Sequence, residues 1–344
     1  MPKSKGTAPV RMNGLRVSDR LIRLEQVFDG QTDPRQAPFY QKLAADRINI
    51  SFLCADYLGS AKLICCLVEP EILTRAGNDS TSSQSIPIHP DGSAAAEVSV
   101  FPHRFNPAAV GAILQALSCE AVPWHYMASS GSMLSFVIDY ASREKAVDAI
   151  AKHIDLPEFH GPLCPGADYD PIARSLKIAP ETVARYVESK IRTYGISVQT
   201  GLTLCRLRMP ADVLKQWSGA VADKAFRFCY ASAVHSGGND CVTLEILLEP
   251  PETRQGRRAD IMSCLPVQDP DGRVELRENA QMITFHGPHF GDRYGIADKA
   301  LGGLESAGVE VWLSGCVGAT VSIVIPPGTE ETAKKALSEV FEIP

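Results

Sequence analysis

Two short stretches end an apolar run in Pro-His and pass at once into a helical pattern: PHRFNPAAV at 102–110 and PHFGDRYGI at 288–296. A strand that exits into a helix start leaves backbone N–H groups without partners. It also points the positive end of the helix dipole outward, an arrangement suited to a small carboxylate. The α-carboxylate of an amino acid fits that description. Gly291 and Gly295 would let the backbone approach a ligand closely, and Asp292 would hold an α-ammonium or a basic side chain. The candidate ligand residues are His103, Arg104, Phe105 and Asn106 at the first corner, and His289, Phe290, Gly291, Asp292, Arg293, Tyr294, Gly295 and Ile296 at the second. A blander reading gives Asp292 a helix cap and Gly295 a tight turn, with no ligand contact.

His103 and His289 share a place in the two corners, and His286 lies just before the second. No further ligand cluster and no base-orienting carboxylate accompanies them, so neither a metal nor a catalytic imidazole is assigned; a packed or loop histidine is the simpler expectation. The chain carries no GxxxxGK[ST] loop, no GxGxxG, no GxSxG and no HExxH. No catalytic residue, metal or cofactor is therefore expected. The ten cysteines are scattered through apolar runs without a CxxC pair, which predicts buried reduced thiols.

The two corners belong to a longer repeat. Laying 107–152 over 294–339 at a constant offset of 187 needs no gap and superposes Leu114 on Leu301, Gly131 on Gly318, Val137 on Val324 and Ala149 on Ala336. Within each copy the order is strand, helix, strand, strand, helix. Asn106 caps the first helix before Pro107, and Val110, Ile113, Leu114 and Leu117 form one apolar stripe; Ser142 and Thr329 take the cap position of the last helix. The front of each half repeats more faintly, LIRLE at 21–25 echoing LCRLR at 204–208. This βαββα order is one strand short of the ferredoxin-like βαββαβ unit, the missing strand being short or supplied by a neighbour. The expected layout is a tail over 1–13, units over 14–80, 93–158, 195–253 and 280–344, and a helical connector over 159–194.

The 344 residues exceed the usual size of a single domain, and 45% hydrophobic with 22% charged residues is ordinary for a folded chain. A net charge of −6 gives no general attraction to phosphate backbones or anionic lipid. Residues 171–191 read superficially as a helix-turn-helix, but Glu181, Arg185 and Glu188 are wrong for a recognition helix. With no membrane-length apolar run and a polar start, neither nucleic acid nor membrane is expected as a partner, and the cytoplasm is the expected location.

The segments DRYGIADKALGGLESAGVEV (292–311) and LSFVIDYASREKAVDAIAKHIDLPE (134–158) resemble the ACT family, in particular the tandem regulatory pair of aspartokinases. YMASSG (126–131) is similar to the strand that carries effector-contacting serines and threonines there. The layout of four units also resembles the cytosolic arginine sensors. Two positions depart from the pattern: Ala108 follows Pro107 where the family has Gly, and Tyr294 precedes Gly295 where it has Pro. The resemblance implies an α+β fold of four ferredoxin-like units in two tandem pairs with an internal pseudo-twofold. It further implies a free amino acid bound where the corner of one unit meets a strand of another. Ser129, Ser130, Gly131, Ser314, Gly315 and Cys316 then join the candidate ligand residues.

The expectation drawn from both readings is a non-catalytic amino-acid-binding regulator, its effector held chiefly at the second and fourth units, signalling to a partner protein or a second copy of itself. Two rivals are a ligand-free module that pairs with a separate aspartokinase-type enzyme, and an enzyme acting on amino-acid derivatives.

Overall fold

The computed structural model describes residues 10–28, 38–58, 62–70, 94–156, 190–236, 241–249, 257–265, 274–288, 290 and 293–344. The connector over 159–189, the helix-turn-helix-like stretch up to Ser189, and His289, Gly291 and Asp292 lie outside the described residues.

In the first unit, β1 (Gly14–Val17) and β2 (Leu21–Phe28) precede α1 (Phe39–Ala45) and the hairpin β3 (Phe52–Asp56) and β4 (Lys62–Val68). The second runs β5 (Ala94–Phe101), α2 (Pro107–Cys119), β6 (Trp124–Ser129), β7 (Leu134–Asp139) and α3 (Arg143–His153). After a two-residue strand β8 (Ile191–Arg192), the third unit runs β9 (Ile196–Pro210), α4 (Ala211–Asp223), β10 (Arg227–Ser236), β11 (Cys241–Glu249) and a short α5 (Arg257–Met262). The fourth is β12 (Val274–His286), α6 (Ile296–Ser306), β13 (Leu313–Val317), β14 (Thr320–Ile325) and α7 (Glu330–Val340), closed by β15 (Phe341–Glu342). The fold is α+β, built of four ferredoxin-like units, and the elements of the second and fourth fall in the same order along the repeat.

The fourth strand that each unit lacks is replaced by its neighbour. β2 pairs with β5 through Leu21–Ala95 and Ile22–Ala94, and β9 pairs with β12 from Ile196–Phe285 to Leu207–Val274. Each tandem pair thus makes one continuous antiparallel sheet, β6-β7-β5-β2-β4-β3, with β1 also paired to β5 from Gly14–Phe101 to Val17–Val98, and β10-β11-β9-β12-β14-β13. The two sheets then join at both ends. Cys54 lies opposite Gly315 on β3–β13, and Ser232 lies opposite Ala128 on β10–β6, so the thirteen strands close on themselves. A closed sheet removes the unpaired edges that invite foreign strands.

Period-2 alternation then divides every strand between an outer, helix-covered face and an inner face. One outer core gathers Val98, Ile113, Trp124, Trp217 and Phe228 of the second and third units; the other gathers Leu24, Leu43, Phe285 and Ile323 of the first and fourth. Inside the ring, Phe52, Cys65, Tyr126 and Val317 pack at one end and Leu204, Tyr230, Met282 and Leu313 at the other. Polar groups are buried there too. Arg206 of β9 reaches Asp56 of β3 at 2.9 Å and Glu245 of β11 at 3.3 Å, bridging the first and third units across the interior. Burial, and then Asp56 beside it, hold the Glu245 carboxyl well above its ordinary range against the pull of Arg206.

Two local expectations are corrected, and one short element is added. Ser142 and Thr329 occupy the cap positions but donate or accept no capping bond; the Thr329 hydroxyl turns back to the Pro326 carbonyl at 2.8 Å. The charged stretch after β11 contains the short α5, held by the fully buried Ile261. Most described cysteines are buried, but Cys119 at the end of α2 is exposed.

Candidate functional site

The two Pro-His corners share a sequence pattern and part company in three dimensions. At the first, Asn106 Oδ1 accepts from the Ala108 N–H at 2.9 Å and so caps α2 with the protein's own side chain. His103 is 1% exposed and uses both ring nitrogens: Nε2 donates to the Ser130 carbonyl at 3.0 Å, and Nδ1 accepts from the Phe105 N–H at 3.0 Å. Its ring lies 4.5 Å from that of Phe228, which β10 of the third unit delivers, and the Phe105 carbonyl accepts from the Phe228 N–H. Burial lowers the imidazole pKa, as expected for a neutral packed ring. Ser129 is occupied as well, its Oγ accepting from the Ala231 N–H at 2.8 Å, and the Ser130 Oγ accepts from Met133 N–H. Arg104 and Gly131 are exposed and apart from this cluster.

Helix packing completes the closure. A β-carbon on Gly111 of α2 would lie 2.0 Å from Ser218 Oγ and 2.8 Å from the Lys215 Cα, so α2 and α4 touch backbone to backbone.

The second corner meets a different neighbour. Gly295 stands at the cap of α6 with φ of 81°, a left-handed conformation that a side chain strains, and among the described residues no side chain caps the helix. Facing it is α1 of the first unit, only seven residues long against thirteen in α4. Between them lies a cleft lined by Phe290, Arg293, Gly295, Ile296, Ala297 and Asp298 of the corner, by Tyr40, Ala44, Ile48 and Ile50 of the first unit, and by Cys316 of β13. Its empty space is about 340 Å³ with the open mouth included.

Most of the lining is apolar. Phe290 is 1% exposed and meets Phe285 edge-on at 6.0 Å, which fixes one wall. Arg293 and Asp298 are the charged members, and burial raises the Asp298 carboxyl while Lys299 opposes the shift. Tyr294 stays 43% exposed at the rim. On β13, alternation turns Ser314 and Cys316 toward this outer face and Gly315 inward, where a β-carbon would lie 2.6 Å from Tyr230 Oη. Of the candidate residues, then, Phe290, Arg293, Gly295, Ile296 and Cys316 come together at the cleft with Ser314 beside them.

Sequence reasoning missed the other wall, since Tyr40, Ala44, Ile48 and Ile50 belong to neither Pro-His corner. Burial drives the Tyr40 phenol far above its ordinary range and pushes that of Tyr57 up to about 12. Among the described residues no group of three His, Cys, Asp or Glu side chains is placed to hold a metal ion.

The closed four-unit sheet has a counterpart among solved structures. The crystal structure of aspartate kinase from Synechocystis matches over 96% of this chain with a TM-score of 0.68 at 13% identity. The chain has an aspartate-kinase-like, ACT-type fold. It spans 56% of that aspartate kinase chain. The ligand-free regulatory subunit of aspartate kinase from Thermus thermophilus matches 44% of this chain and 99% of its own, at 14% identity and a TM-score of 0.37. E. coli aspartokinase III in complex with lysine and aspartate matches 45% of this chain and 34% of its own, at 17% identity and a TM-score of 0.33. No protein-family model matches the sequence, and no curated protein does.

Proposed function

We propose that this protein is a non-catalytic amino-acid sensor of the aspartokinase regulatory type, its effector held in the cleft between the fourth-unit corner and α1 of the first unit. The observation that carries the reading is the uncapped start of α6 opening into a partly apolar cleft with one cationic and one anionic side chain. A zwitterion needs just such a set. Its carboxylate is served by the free amides of the helix start and by Arg293, its ammonium by Asp298, with Asp292 a further candidate next to the corner. Occupancy would spread the first unit from the fourth, and a partner protein that favours one spacing would read the change as a population shift. The second-unit corner, filled by His103, Phe105 and Phe228, serves in this reading as a fixed joint.

The rival in which the chain pairs its sheet with a separate enzyme finds less support, because the closing strands β3, β6, β10 and β13 are already paired with each other. A thermal-shift screen against the proteinogenic amino acids tests the sensor reading. A ligand at a hundredfold excess over its Kd adds about 2.7 kcal/mol of stability. Gly295→Val, which forces a branched side chain into the left-handed region at the mouth of the cleft, is expected to abolish the shift. A screen in which nothing shifts the parent, or in which the variant responds as the parent does, would remove the cleft from consideration.

A further inference from the structure

Inside the closed sheet, two carboxyls from different tandem pairs share one guanidinium. Arg206 Nη2 lies 2.9 Å from Asp56 Oδ2 on β3, and its Nη1 lies 3.3 Å from Glu245 Oε1 on β11. Asp56 is also within hydrogen-bonding reach of Glu245 itself. The remaining oxygens are satisfied: Ser232 Oγ of β10 donates to Glu245 Oε2 at 3.2 Å, and the Leu58 N–H donates to Asp56 Oδ1 at 2.8 Å. Tyr230 and Cys54 face the pair as well, and burial keeps both protonated and neutral. On the other side of Arg206, Glu275 of β12 is taken up by Arg277 at 2.7 Å. One positive charge is thus set against two acids, in a place where Glu245 is only 3% exposed.

The fold does not require this. Arg23 holds the place of Arg206 in the LIRLE echo of the first unit, and opposite it β4 presents the fully buried Leu67. Arg23 turns instead to Glu25 of its own strand at 2.8 Å. A second buried acid costs stability unless it is neutralised, and a proton shared with Asp56 neutralises it. Burial of Glu245, and then Asp56 beside it, strengthen its hold on that proton.

We propose that Asp56, Arg206 and Glu245 form a proton-controlled latch between the two tandem pairs, closed while Glu245 carries a proton that it donates to Asp56 and released when that proton is lost. Asp56 ends β3, where it lies opposite Leu313 of β13, and the neighbouring Tyr57 N–H donates to the Trp312 carbonyl at 2.9 Å. Loss of the proton leaves two carboxylates against one guanidinium. Their repulsion drives Asp56 away from the third unit and loosens the β3–β13 seam that joins the first unit to the fourth. The latch is independent of what the cleft binds.

Because the folded chain holds this proton more tightly than the unfolded one, the stability it contributes is complete below the ordinary glutamate value of 4.5. It is lost as pH rises through the higher folded value. Amide hydrogen exchange on the full chain from pH 5 to 9, corrected for the intrinsic rate, reads the opening of the seam. Protection at Tyr57 is expected to fall with rising pH by up to about tenfold per unit, the limit for one proton, while the β6–β7 amides hold theirs. Glu245→Gln keeps a donor toward Asp56 and removes the titration, so its Tyr57 protection is expected to stay level across the range. Asp56→Asn removes the like charge and is expected to lower the midpoint of the Glu245 titration, read by carbon-13 NMR of the carboxyl. Flat protection in the parent, a pH-dependent loss that persists in Glu245→Gln, a loss shared equally by β6–β7, or a midpoint unmoved in Asp56→Asn would each overturn the latch.

Discussion

His103 carries the packing of the first corner with no ionisable help. It is neutral, it spends both ring nitrogens on backbone partners, and Phe105 and Phe228 cover its faces. Because burial depresses its folded pKa, the imidazole binds a proton more weakly in the native state than in the unfolded chain. The stability it contributes is therefore complete above the unfolded value near 6.5 and is lost as pH falls toward the lower folded value. Urea denaturation between pH 7.5 and 5 should show this loss, and His103→Gln should flatten it; an unchanged slope in the variant would assign the effect to another group. At the opposite corner Gly295 starts α6 in a left-handed backbone, and among the described residues no side chain caps that helix. Both residues were legible in the sequence as members of one repeated motif. Their opposite roles were not, because the ring that seals the first corner belongs to Phe228, a residue of another unit.

At the scale of elements, what separates the two interfaces is how closely paired helices approach. Gly111 lets α2 lie against α4, while Asp298 occupies the corresponding place on α6 and faces Tyr40 on the shorter α1. In an exposed helix, replacing glycine by alanine stabilises by roughly 0.5–1 kcal/mol. Gly111→Ala should do the opposite, destabilising by about 1–3 kcal/mol, because the added methyl overlaps backbone that has nowhere to move. Chemical denaturation of the variant reads the sign directly, and a stabilised protein would show that the helices part at no cost. The elements themselves follow the sequence closely. The apolar stripe of α2 and the gapless repeat fall on corresponding helices of the second and fourth units. The short α5 escaped because a single buried Ile261 within a charged stretch leaves no periodic signal.

Across the whole molecule, two tandem pairs each end in strands that only the other pair can cover: β3 with β13, and β6 with β10. The interior Arg206 bridge to Asp56 and Glu245 ties the same two pairs together. A fragment ending after α3 would expose β3 and β6 along their full length, together with the inner face of Phe52, Cys65 and Val137. Such a half-chain should self-associate, the two copies recreating the closed sheet, whereas the full chain has no need to. Light scattering after size exclusion distinguishes the two, and a monomeric, folded half would mean that closure contributes little. Composition, periodicity and the repeat determined the four-unit α+β fold, the missing fourth strands and the pair of helix starts, because these depend on residues near one another in the chain. Only the tertiary structure decided which helix start lines a cleft and which is packed shut. That outcome turns on pairs such as Gly111 with Ser218 and Gly295 with Ala44, whose separation in sequence carries no pattern and whose approach exists only once the ring has closed.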